Sequence, residues 1–441
     1  MILTADPAST FAARAGAYAG AMPATDWIAQ RGWVAPDLGG ACFAGIPGTI
    51  TAFLSGTAIA PALPTGVLSG LAERYERVVL VYFDALGYAL ASRHGEHPLL
   101  VRAAAEGVFA RITSQFPSTT TVHMTTIHTG LPVGEHGLYE WFVLEPSLER
   151  LIAPLPFAFA GDGREPLLPY LRPDQLFPRP TIYEWLGERG VQSVVAGPTG
   201  LAASPTSAAL LQGATATVGF EDVGDGLAAL ARELSARPAP AYGFAYIEEI
   251  DSKMHQVGPG EPAGVNVDAD VERLLSAIEE RLLGGLPAGT LVLVTADHGM
   301  TAVSPPRTVY VNLGDDAAEI RAHLRTGREP GDHPLAPAGS CRDLFLYARD
   351  GHLDELVGVL AERLGPLAEV RRASELLAAG LFGADPAPAL RERLGDVVVL
   401  PVLGEAVYWY TAGRFEQRLW GQHGGLTPQE MEIPLIALTA G

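Results

Sequence analysis

The sequence predicts an α/β fold in which a mostly parallel central sheet is flanked by helices and accompanied by one or two smaller inserted modules. Apolar, β-branched runs at residues 77–83 and 291–295 stop abruptly at polar residues, as buried parallel strands do. Segments with helical periodicity, such as residues 226–236 and 267–283, lie between such runs, and this alternation is typical of parallel sheets. Hydrophobic residues make up 48% of the chain and charged residues 18%, which fits a well-buried globular protein.

The charge of the chain argues against a nucleic-acid polymer as a partner. The 441 residues carry a formal net charge of −20, and Lys253 is the only lysine. A polyanion would therefore meet a repulsive surface over most of the molecule. Cys42 and Cys341 are too few for a disulfide framework or a thiolate metal site, so we expect a reducing compartment.

No targeting or membrane-spanning segment is expected. Residues 1–16 lack a basic stretch followed by an apolar core, and no run of about 18 uncharged apolar residues occurs elsewhere. The sequence therefore predicts a cytoplasmic protein with no membrane partner, and it leaves the oligomeric state open.

Composition and periodicity divide the chain into four parts. Residues 1–65, rich in Ala, Gly and Pro, are expected to form an N-terminal extension that packs on the core. Residues 66–300 are expected to form the main α/β core, with a lid-like insertion at about 139–240. Residues 301–420 are predicted to form a small inserted α/β module, and residues 421–441 return a last strand to the core.

Acidic residues follow three of the predicted strands, at Asp84, Asp251 and Asp297. Because the carboxyl ends of parallel strands meet at one edge of a sheet, these side chains can converge in one cleft. His298 stands beside Asp297. His255 follows Asp251 by four residues, which places both side chains on one side of a helical turn. Asp and His suit a divalent cation, although each pattern alone is also typical of an ordinary polar turn.

A threonine-rich segment opens a predicted helix in the core region. Its first turn carries Ser118, Thr119, Thr120 and Thr121, directly after Pro117. Free backbone amides and the positive end of the helix dipole would attract an anion at this position. The same hydroxyls could instead serve only as helix caps.

Five motifs, taken in order, resemble those of the alkaline phosphatase superfamily, and most closely those of its nucleotide pyrophosphatase/phosphodiesterase (type I phosphodiesterase) family. The motifs are YFDALG at 82–87, FPSTTT at 116–121 with HTGLPVGEHG at 128–137, EEIDSKMHQVGPG at 248–260, TADHGM at 295–300 and GQHGG at 421–425. The resemblance runs over most of residues 77–437. It implies an alkaline phosphatase-like core and a hydrolase of phosphoric esters.

The resemblance also implies two divalent metal ions, with zinc as the first choice and manganese as the alternative. The six expected ligands form two groups: Asp251, His255 and His423 for one ion, and Asp84, Asp297 and His298 for the other. The nucleophile of the family falls on Thr120, which would also contact the metal. Thr119 and Thr121 are the less favoured registers.

Four further residues are expected to contact the substrate. The backbone amide of Thr121 would face a phosphoryl oxygen. His123 stands where the resemblance leads us to expect an asparagine, and it is the candidate hydrogen-bond donor in its place. Tyr139 and Trp141 would stack on an aromatic leaving group, or else pack in the core beneath the insertion.

The chemistry expected of such a site favours a phosphodiester. A threonine hydroxyl is a weak nucleophile until a cation stabilises its alkoxide. Two divalent ions and three carboxylates leave one positive charge, which an ionised Thr120 cancels, and this balance suits a diester monoanion. Residues 120–141 contain no Arg or Lys to bind a dianion, although a distant arginine such as Arg342 could swing in.

We therefore expect a phosphodiesterase or nucleotide pyrophosphatase that acts on a small phosphate ester, with nucleotides among the candidates, through a phosphothreonine at Thr120. Other activities of the same superfamily stay open: a metal-dependent phosphomonoesterase, a phosphonate hydrolase, or a phosphosugar or phosphoglycerate mutase. A non-catalytic metal-binding domain is a further alternative, which the intact set of ligands disfavours.

Overall fold

The computed structural model describes residues 26–161, 165–200, 204–260, 266–327 and 333–441. The first 25 residues of the predicted N-terminal extension thus lie outside the described residues. None of the helices in the described ranges combines the length and the apolar character needed to cross a bilayer.

The strands, in chain order, are β1 Arg77–Phe83, β2 Val108–Thr113, β3 Val143–Glu145, β4 Arg150–Ala153, β5 Ala158–Phe159, β6 Gln192–Pro198, β7 Ala216–Phe220, β8 Ala241–Ile247, β9 Leu291–Thr295, β10 Thr301–Ala302, β11 Val309–Tyr310, β12 Ala338–Gly339, β13 Leu344–Leu346, β14 Ala368–Arg372, β15 Val397–Pro401, β16 Val407–Tyr408, β17 Gly421–Gln422 and β18 Glu432–Thr439.

The α-helices are α1 Asp26–Gln30, α2 Ile46–Ser55, α3 Tyr88–Arg93, α4 Pro98–Glu106, α5 Thr120–Thr129, α6 Val133–His136, α7 Pro173–Leu176, α8 Ile182–Gly187, α9 Pro205–Leu210, α10 Val223–Ser235, α11 Glu249–Val257, α12 Val267–Ala277, α13 Ala317–His323, α14 Leu353–Leu364, α15 Ala373–Ala378, α16 Pro388–Arg393 and α17 Pro428–Met431.

Seven strands form the main sheet, in the order β2-β18-β9-β1-β8-β6-β7. Strands β9, β1, β8, β6 and β7 run parallel to one another. Strand β18 lies antiparallel between β9 and β2. The predicted α/β fold with a mostly parallel central sheet is confirmed. Its consequence for the site is that the carboxyl ends of β8, β1 and β9 lie side by side.

The central strands are apolar because the sheet is covered on both faces. Nearly every residue of β1, β8 and β9 is buried, so a polar side chain would lose its water without gaining a partner. Helices α2, α4 and α10 pack against the sheet, and they contribute Ile50, Leu99 and Leu230 to its core. Each fully buried aliphatic side chain of this kind stabilises the fold by about 1.5–3 kcal/mol.

Smaller sheets build a second hydrophobic core beside the first. Strands β3-β4-β5 form one antiparallel sheet, and strands β12-β13-β15-β14 form another. Only the first part of the predicted insertion at 139–240 forms such a separate sheet. Strands β6 and β7 lie in the same span but belong to the main sheet, because their apolar runs pair with β8 and with each other.

The predicted position of Asp251 at a strand end is wrong. Strand β8 stops at Ile247, and Asp251 lies in the first turn of α11. The helix nevertheless starts two residues after the strand, so Asp251 and His255 remain at the same edge of the sheet as the other predicted ligands.

Candidate active site

The loops that follow β1 and β9 cross at the carboxyl edge of the sheet. Asp84 directly follows β1, and Asp297 lies two residues beyond β9. A Cβ at Gly299 would lie 2.1 Å from the carbonyl oxygen of Gln429, and a Cβ at Gly87 would lie 2.7 Å from the Cα of Gly299. Only glycine fits at both positions without a backbone shift. This close crossing brings the two carboxylates to one point.

Asp84, Asp297 and His298 form the first acid–histidine cluster, and all three are buried. The Nε2 atom of His298 lies 3.5 Å from Oδ1 of Asp84 and 3.2 Å from Oδ2 of Asp297. Tyr246 donates its hydroxyl to the other oxygen of Asp84. The backbone amides of Ala85 and His298 donate to Oδ1 of Asp297 at 3.1 and 2.9 Å. Each carboxylate therefore has one oxygen fixed by the protein and one oxygen turned towards His298.

Asp251, His255 and His423 form the second cluster. Asp251 and His255 lie four residues apart on α11, and His423 follows β17. The Nε2 atoms of His255 and His423 lie 3.4 and 3.9 Å from Oδ1 of Asp251. The rings of His423 and His298 are stacked with their centroids 3.6 Å apart, so the two clusters are adjacent.

All three histidines are held as the same tautomer. Their Nδ1 atoms each lie 2.9 Å from a backbone carbonyl oxygen, that of Gly299 for His298, Gly421 for His255 and Ser118 for His423. Because a carbonyl only accepts, Nδ1 carries the proton, and Nε2 of the neutral ring presents a lone pair to the carboxylates. Lone pairs of the ring nitrogens and carboxylate oxygens repel one another when they face each other alone. A cation bound between the nitrogens and the carboxylates would turn this repulsion into attraction.

One oxygen in each of the three carboxylates is buried without a hydrogen-bond partner among the described residues: Oδ1 of Asp84, Oδ1 of Asp251 and Oδ2 of Asp297. Burial, and then the charges of Asp297 and Asp251, raises the pKa of Asp84 well above its usual range. Burial raises the pKa of Asp251 to about 6 and lowers the pKa values of His298 and His423 well below their usual range. Buried carboxylates need a partner, and these six side chains fit a pair of divalent cations.

Thr120 lies at the start of α5, beside the first cluster. Its Oγ1 atom is 3.3 Å from Nε2 of His298. Thr119 is the N-cap residue of the helix. The hydroxyl of Thr121 is buried and has no hydrogen-bond partner among the described residues. Among the three threonines considered as nucleophile, Thr120 is the one whose hydroxyl contacts an expected metal ligand.

Ser118 connects the threonine segment to the loop that carries His423. Its hydroxyl donates to the carbonyl oxygen of Gly425 at 2.8 Å and accepts from the backbone amide of Gly424 at 3.2 Å. Its carbonyl oxygen accepts from His423. These contacts hold Thr120 and His423 in a fixed relation, although the two residues lie far apart in the sequence.

His123 does not face the site. Its Nδ1 atom donates to the carbonyl oxygen of Thr119 at 2.8 Å, and its Nε2 atom accepts from the backbone amide of Gln115 at 2.9 Å. Burial lowers the pKa of His123 to about 4, so the ring is neutral. The prediction that His123 donates to a phosphoryl oxygen is wrong, because both ring nitrogens already have partners within the protein.

Tyr139 belongs to the second core rather than to the site. It is fully buried, donates its hydroxyl to the carbonyl oxygen of Arg393 and packs edge-on against Phe345. The alternative of core packing is therefore correct for Tyr139. Trp141 is 38% exposed and lines the cleft beside Thr120, where it can contact a substrate.

Arg342 is not free to move into the site. Its guanidinium is fully buried and donates to both carboxylate oxygens of Glu430 at 2.9 Å. Glu430 also accepts from the backbone amide of Gly425 and from the hydroxyl of Thr427. The pair therefore stabilises the loop that carries His423, and the prediction that Arg342 could supply charge to the substrate is wrong.

Two cavities meet at Thr120. An open cleft of about 510 Å³ runs past Trp141 and His423 and includes Arg414 and Arg418 in its wall. A smaller pocket of about 70 Å³ adjoins the other side of Thr120. Its apolar lining comes from Met124, Leu155, Val195, Leu210, Leu211 and Phe244. One side of the candidate nucleophile is thus polar and open, and the other is apolar.

Several residues at the cleft were not predicted from the sequence. Glu140 lines the cleft, and Asp343, from a distant part of the chain, contacts Glu140. Glu140 interrupts the apolar run LYEWFVL, and Asp343 directly precedes the apolar run LFLYA, a pattern that could have identified them. Arg414 and Arg418 stand shortly before the GQHGG motif, which was the available indication of their position.

Several solved structures have a similar fold. Murine ectonucleotide pyrophosphatase/phosphodiesterase 5, solved as an inactive variant with AMP, has a TM-score of 0.60 at 20% identity, over 82% of this chain and 87% of that one. The human protein of the same name has a TM-score of 0.57 at 18% identity, over 82% of this chain and 87% of that one. Phosphonoacetate hydrolase from Sinorhizobium meliloti, solved with phosphonoformate, gives 0.57 at 20% identity, over 84% of this chain and 92% of that one. A search of curated protein sequences found no similar protein.

The fold of this chain is the mixed α/β fold of these structures, with a large, mostly parallel sheet flanked by helices. A sequence model described as type I phosphodiesterase / nucleotide pyrophosphatase matches residues 78–425, and the chain belongs to this family.

Proposed function

We propose that the chain is a two-metal phosphodiesterase or nucleotide pyrophosphatase in which Thr120 is the nucleophile. The observation that carries the proposal is the position of Thr120, whose hydroxyl lies 3.3 Å from Nε2 of His298 where the two acid–histidine clusters meet. A hydroxyl at the junction of the two clusters is suitably placed to attack a phosphoryl group.

The residues present suit zinc, with manganese as the alternative. Each cluster offers three nitrogen and oxygen ligands, the number that catalytic zinc sites supply while one position stays open. The carbonyl partners of the three Nδ1 atoms orient the rings, as outer partners of metal-bound histidines do. When bound, the two cations would stabilise the ionised threonine and the charge on the departing oxygen.

The proposed reaction has two displacements at phosphorus. In the first, the Thr120 oxygen forms a bond to phosphorus while the ester bond to the leaving alcohol breaks, which gives a phosphothreonine. In the second, a water oxygen attacks phosphorus, the bond to Thr120 breaks, and the released product is a monoester. The chain positions the hydroxyl through α5 and the contacts of Ser118, and the exposed side of Thr120 opens on the cleft.

The cavities support a small phosphate ester as the substrate. The apolar pocket can take an uncharged or flat part of the molecule, while the open cleft beside Trp141 can take the other part. AMP in the murine structure fits this expectation of a nucleotide-sized ligand. Phosphonate hydrolysis is the second candidate, favoured by the similarity to phosphonoacetate hydrolase over most of both chains.

We also propose that the protein acts in the cytoplasm. Its two cysteines are buried and unpaired, which fits a reducing compartment.

The experiment that tests the proposed function combines elemental analysis of the purified protein with a substrate panel. We expect about two zinc or manganese ions per chain and release of p-nitrophenol from bis(p-nitrophenyl) phosphate. Phosphonoacetate, a pyrophosphate and a monoester complete the panel. Metal-loaded protein that hydrolyses none of these compounds would contradict the proposal, and transfer without release of phosphate or alcohol would indicate a mutase.

A further inference from the structure

Two buried carboxylic acids, Glu140 and Asp343, face each other at the cleft: Glu140 lines its wall, and Asp343 lies behind Glu140. Glu140 lines the cleft with Thr119 and Thr120, and its carboxylate accepts from the backbone amide of Trp141. The side chains that face it are those of Asp343 and Thr119. None of the metal ligands proposed above belongs to this pair, and the reaction described above does not use it.

Asp343 is the deeper of the two acids. Its Oδ1 atom accepts from the backbone amide and the hydroxyl of Ser340 at 3.3 and 2.6 Å. Its Oδ2 atom is buried without a hydrogen-bond partner among the described residues. The hydroxyl oxygen of Ser340 also lies 3.3 Å from the carbonyl oxygen of His423. The acid pair therefore lies between the threonine segment and the His423 loop.

The pair has no cation to neutralise it. Neither acid forms an ion pair with another described residue, and the neighbouring Arg342 is bound to Glu430. Burial raises the pKa of Glu140 to about 7, and burial followed by the charge of Glu140 raises the pKa of Asp343 well above its usual range. Two facing carboxyls in such a place cannot both ionise, so the pair keeps one proton. At about pH 8, above the pKa of about 7 of Glu140, the pair carries one negative charge.

We propose that the Glu140–Asp343 pair makes the site select phosphodiester monoanions over phosphomonoester dianions. The inference rests on the proposed function and names its substrate class. Two divalent cations, three aspartates and an ionised Thr120 leave the site without net charge, so the charge of the pair makes it negative. A dianion carries one negative charge more than a diester, and the buried pair repels it correspondingly more.

The two arginines in the cleft wall contact groups other than the acid pair. Arg418 is exposed and bound to Glu416, and Arg414 donates to the carbonyl oxygen of Ala160. Solvent screens an exposed arginine far more strongly than it screens a buried acid. Glu140 thus lies beside Thr119 and Thr120 in the cleft wall, without an ion-pair partner among the described residues.

The test is the double variant Glu140→Gln/Asp343→Asn, which removes the charge and keeps the shape of both side chains. The measurement is the ratio of kcat/KM for bis(p-nitrophenyl) phosphate to kcat/KM for p-nitrophenyl phosphate, at about pH 8, where the monoester is a dianion. We expect the ratio to fall by about tenfold in the double variant. Each single variant keeps one carboxyl to hold the charge, so its ratio should change less than about threefold.

A matched control removes two acids elsewhere. Glu188 and Asp385 have side chains that are 74% and 92% exposed, and Glu188→Gln/Asp385→Asn should leave the ratio unchanged. If the amide pair does not fold, Glu140→Ala/Asp343→Asn removes the same charge with less volume and should give the same shift. A folded, metal-loaded charge-free variant with the wild-type ratio would overturn the proposal.

A binding measurement separates this inference from the proposed function. Calorimetric titration of inorganic phosphate into the metal-loaded protein requires no turnover. We expect phosphate to bind about tenfold more tightly to the double variant than to the wild type. Equal affinities would overturn the role of the pair even if the enzyme proves active. A tenfold gain in a protein that hydrolyses neither ester would support the pair while refuting the proposed function.

Discussion

Thr120 is the residue on which the proposed turnover depends. Replacing it with Ala removes the hydroxyl that contacts His298, so we expect kcat for bis(p-nitrophenyl) phosphate to fall by at least about a thousandfold. The substitution leaves both acid–histidine clusters intact, so elemental analysis should show nearly the wild-type metal content. Thr129→Ala, at the far end of α5, is the matched control and should retain activity. Wild-type rates from the Thr120 variant would place the nucleophile elsewhere.

Among the expected metal ligands, Asp297 allows the clearest test by a single substitution. Its Oδ1 atom accepts hydrogen bonds from two backbone amides, while its Oδ2 atom is buried without a hydrogen-bond partner among the described residues. Asp297→Asn keeps the first role and removes the charge of the second, so the metal content should fall from about two ions to about one per chain. Asp396→Asn is the control, since Asp396 only accepts from the backbone amide of Ala348. Two tightly bound ions in Asp297→Asn would show that this aspartate is not a ligand.

The buried Arg342–Glu430 pair stabilises the loop between β17 and α17. Arg342→Met leaves Glu430 charged and unpaired in the interior, and we expect the free energy of unfolding to fall by about 3–5 kcal/mol. Urea denaturation measures this loss. Arg172→Met removes an exposed ion pair with Asp174 and should cost less than about 1 kcal/mol. Equal losses in the two variants would contradict the assigned role of the buried pair.

The elements that position the site were largely predictable because each has a local cause. The helix at 120–129 begins after Thr119 and ends at Gly130, whose backbone is left-handed. The spacing of Asp251 and His255 places them on one helix, as predicted. The limits of the predicted insertion were not predictable, because whether an apolar run such as β6 joins the main sheet depends on pairing with the distant β8.

The same distinction applies to the side chains around the site. The six expected metal ligands lie in motifs, and the structure brings them into two adjacent clusters. His123 was misassigned because its partners, in particular Gln115, come from the preceding loop and satisfy both ring nitrogens. The Glu140–Asp343 pair escaped notice because its members are far apart in the sequence and only folding places them together.

For the whole molecule, metal binding and folding should be coupled. Removing the ions leaves three buried carboxylate oxygens without partners, so we expect chelation to lower the melting temperature. Restoring zinc to about a hundredfold above its Kd should return about 2.7 kcal/mol of stability. Differential scanning fluorimetry with and without chelator measures the change. The Asp297→Asn variant should respond less than the wild type, and an identical melting temperature with and without metal would contradict the coupling.

Strand β18 lies inside the main sheet, between β2 and β9, although it is formed by residues 432–439. Because β18 is the strand that pairs with both β2 and β9, its residues must be synthesised before β2 can join the other strands of the sheet. Until then the nascent chain exposes apolar strand edges that a chaperone could shield. A chain truncated before residue 432 would lack β18 and form an incomplete sheet. We expect proteolysis to remove such a chain, so that it does not accumulate.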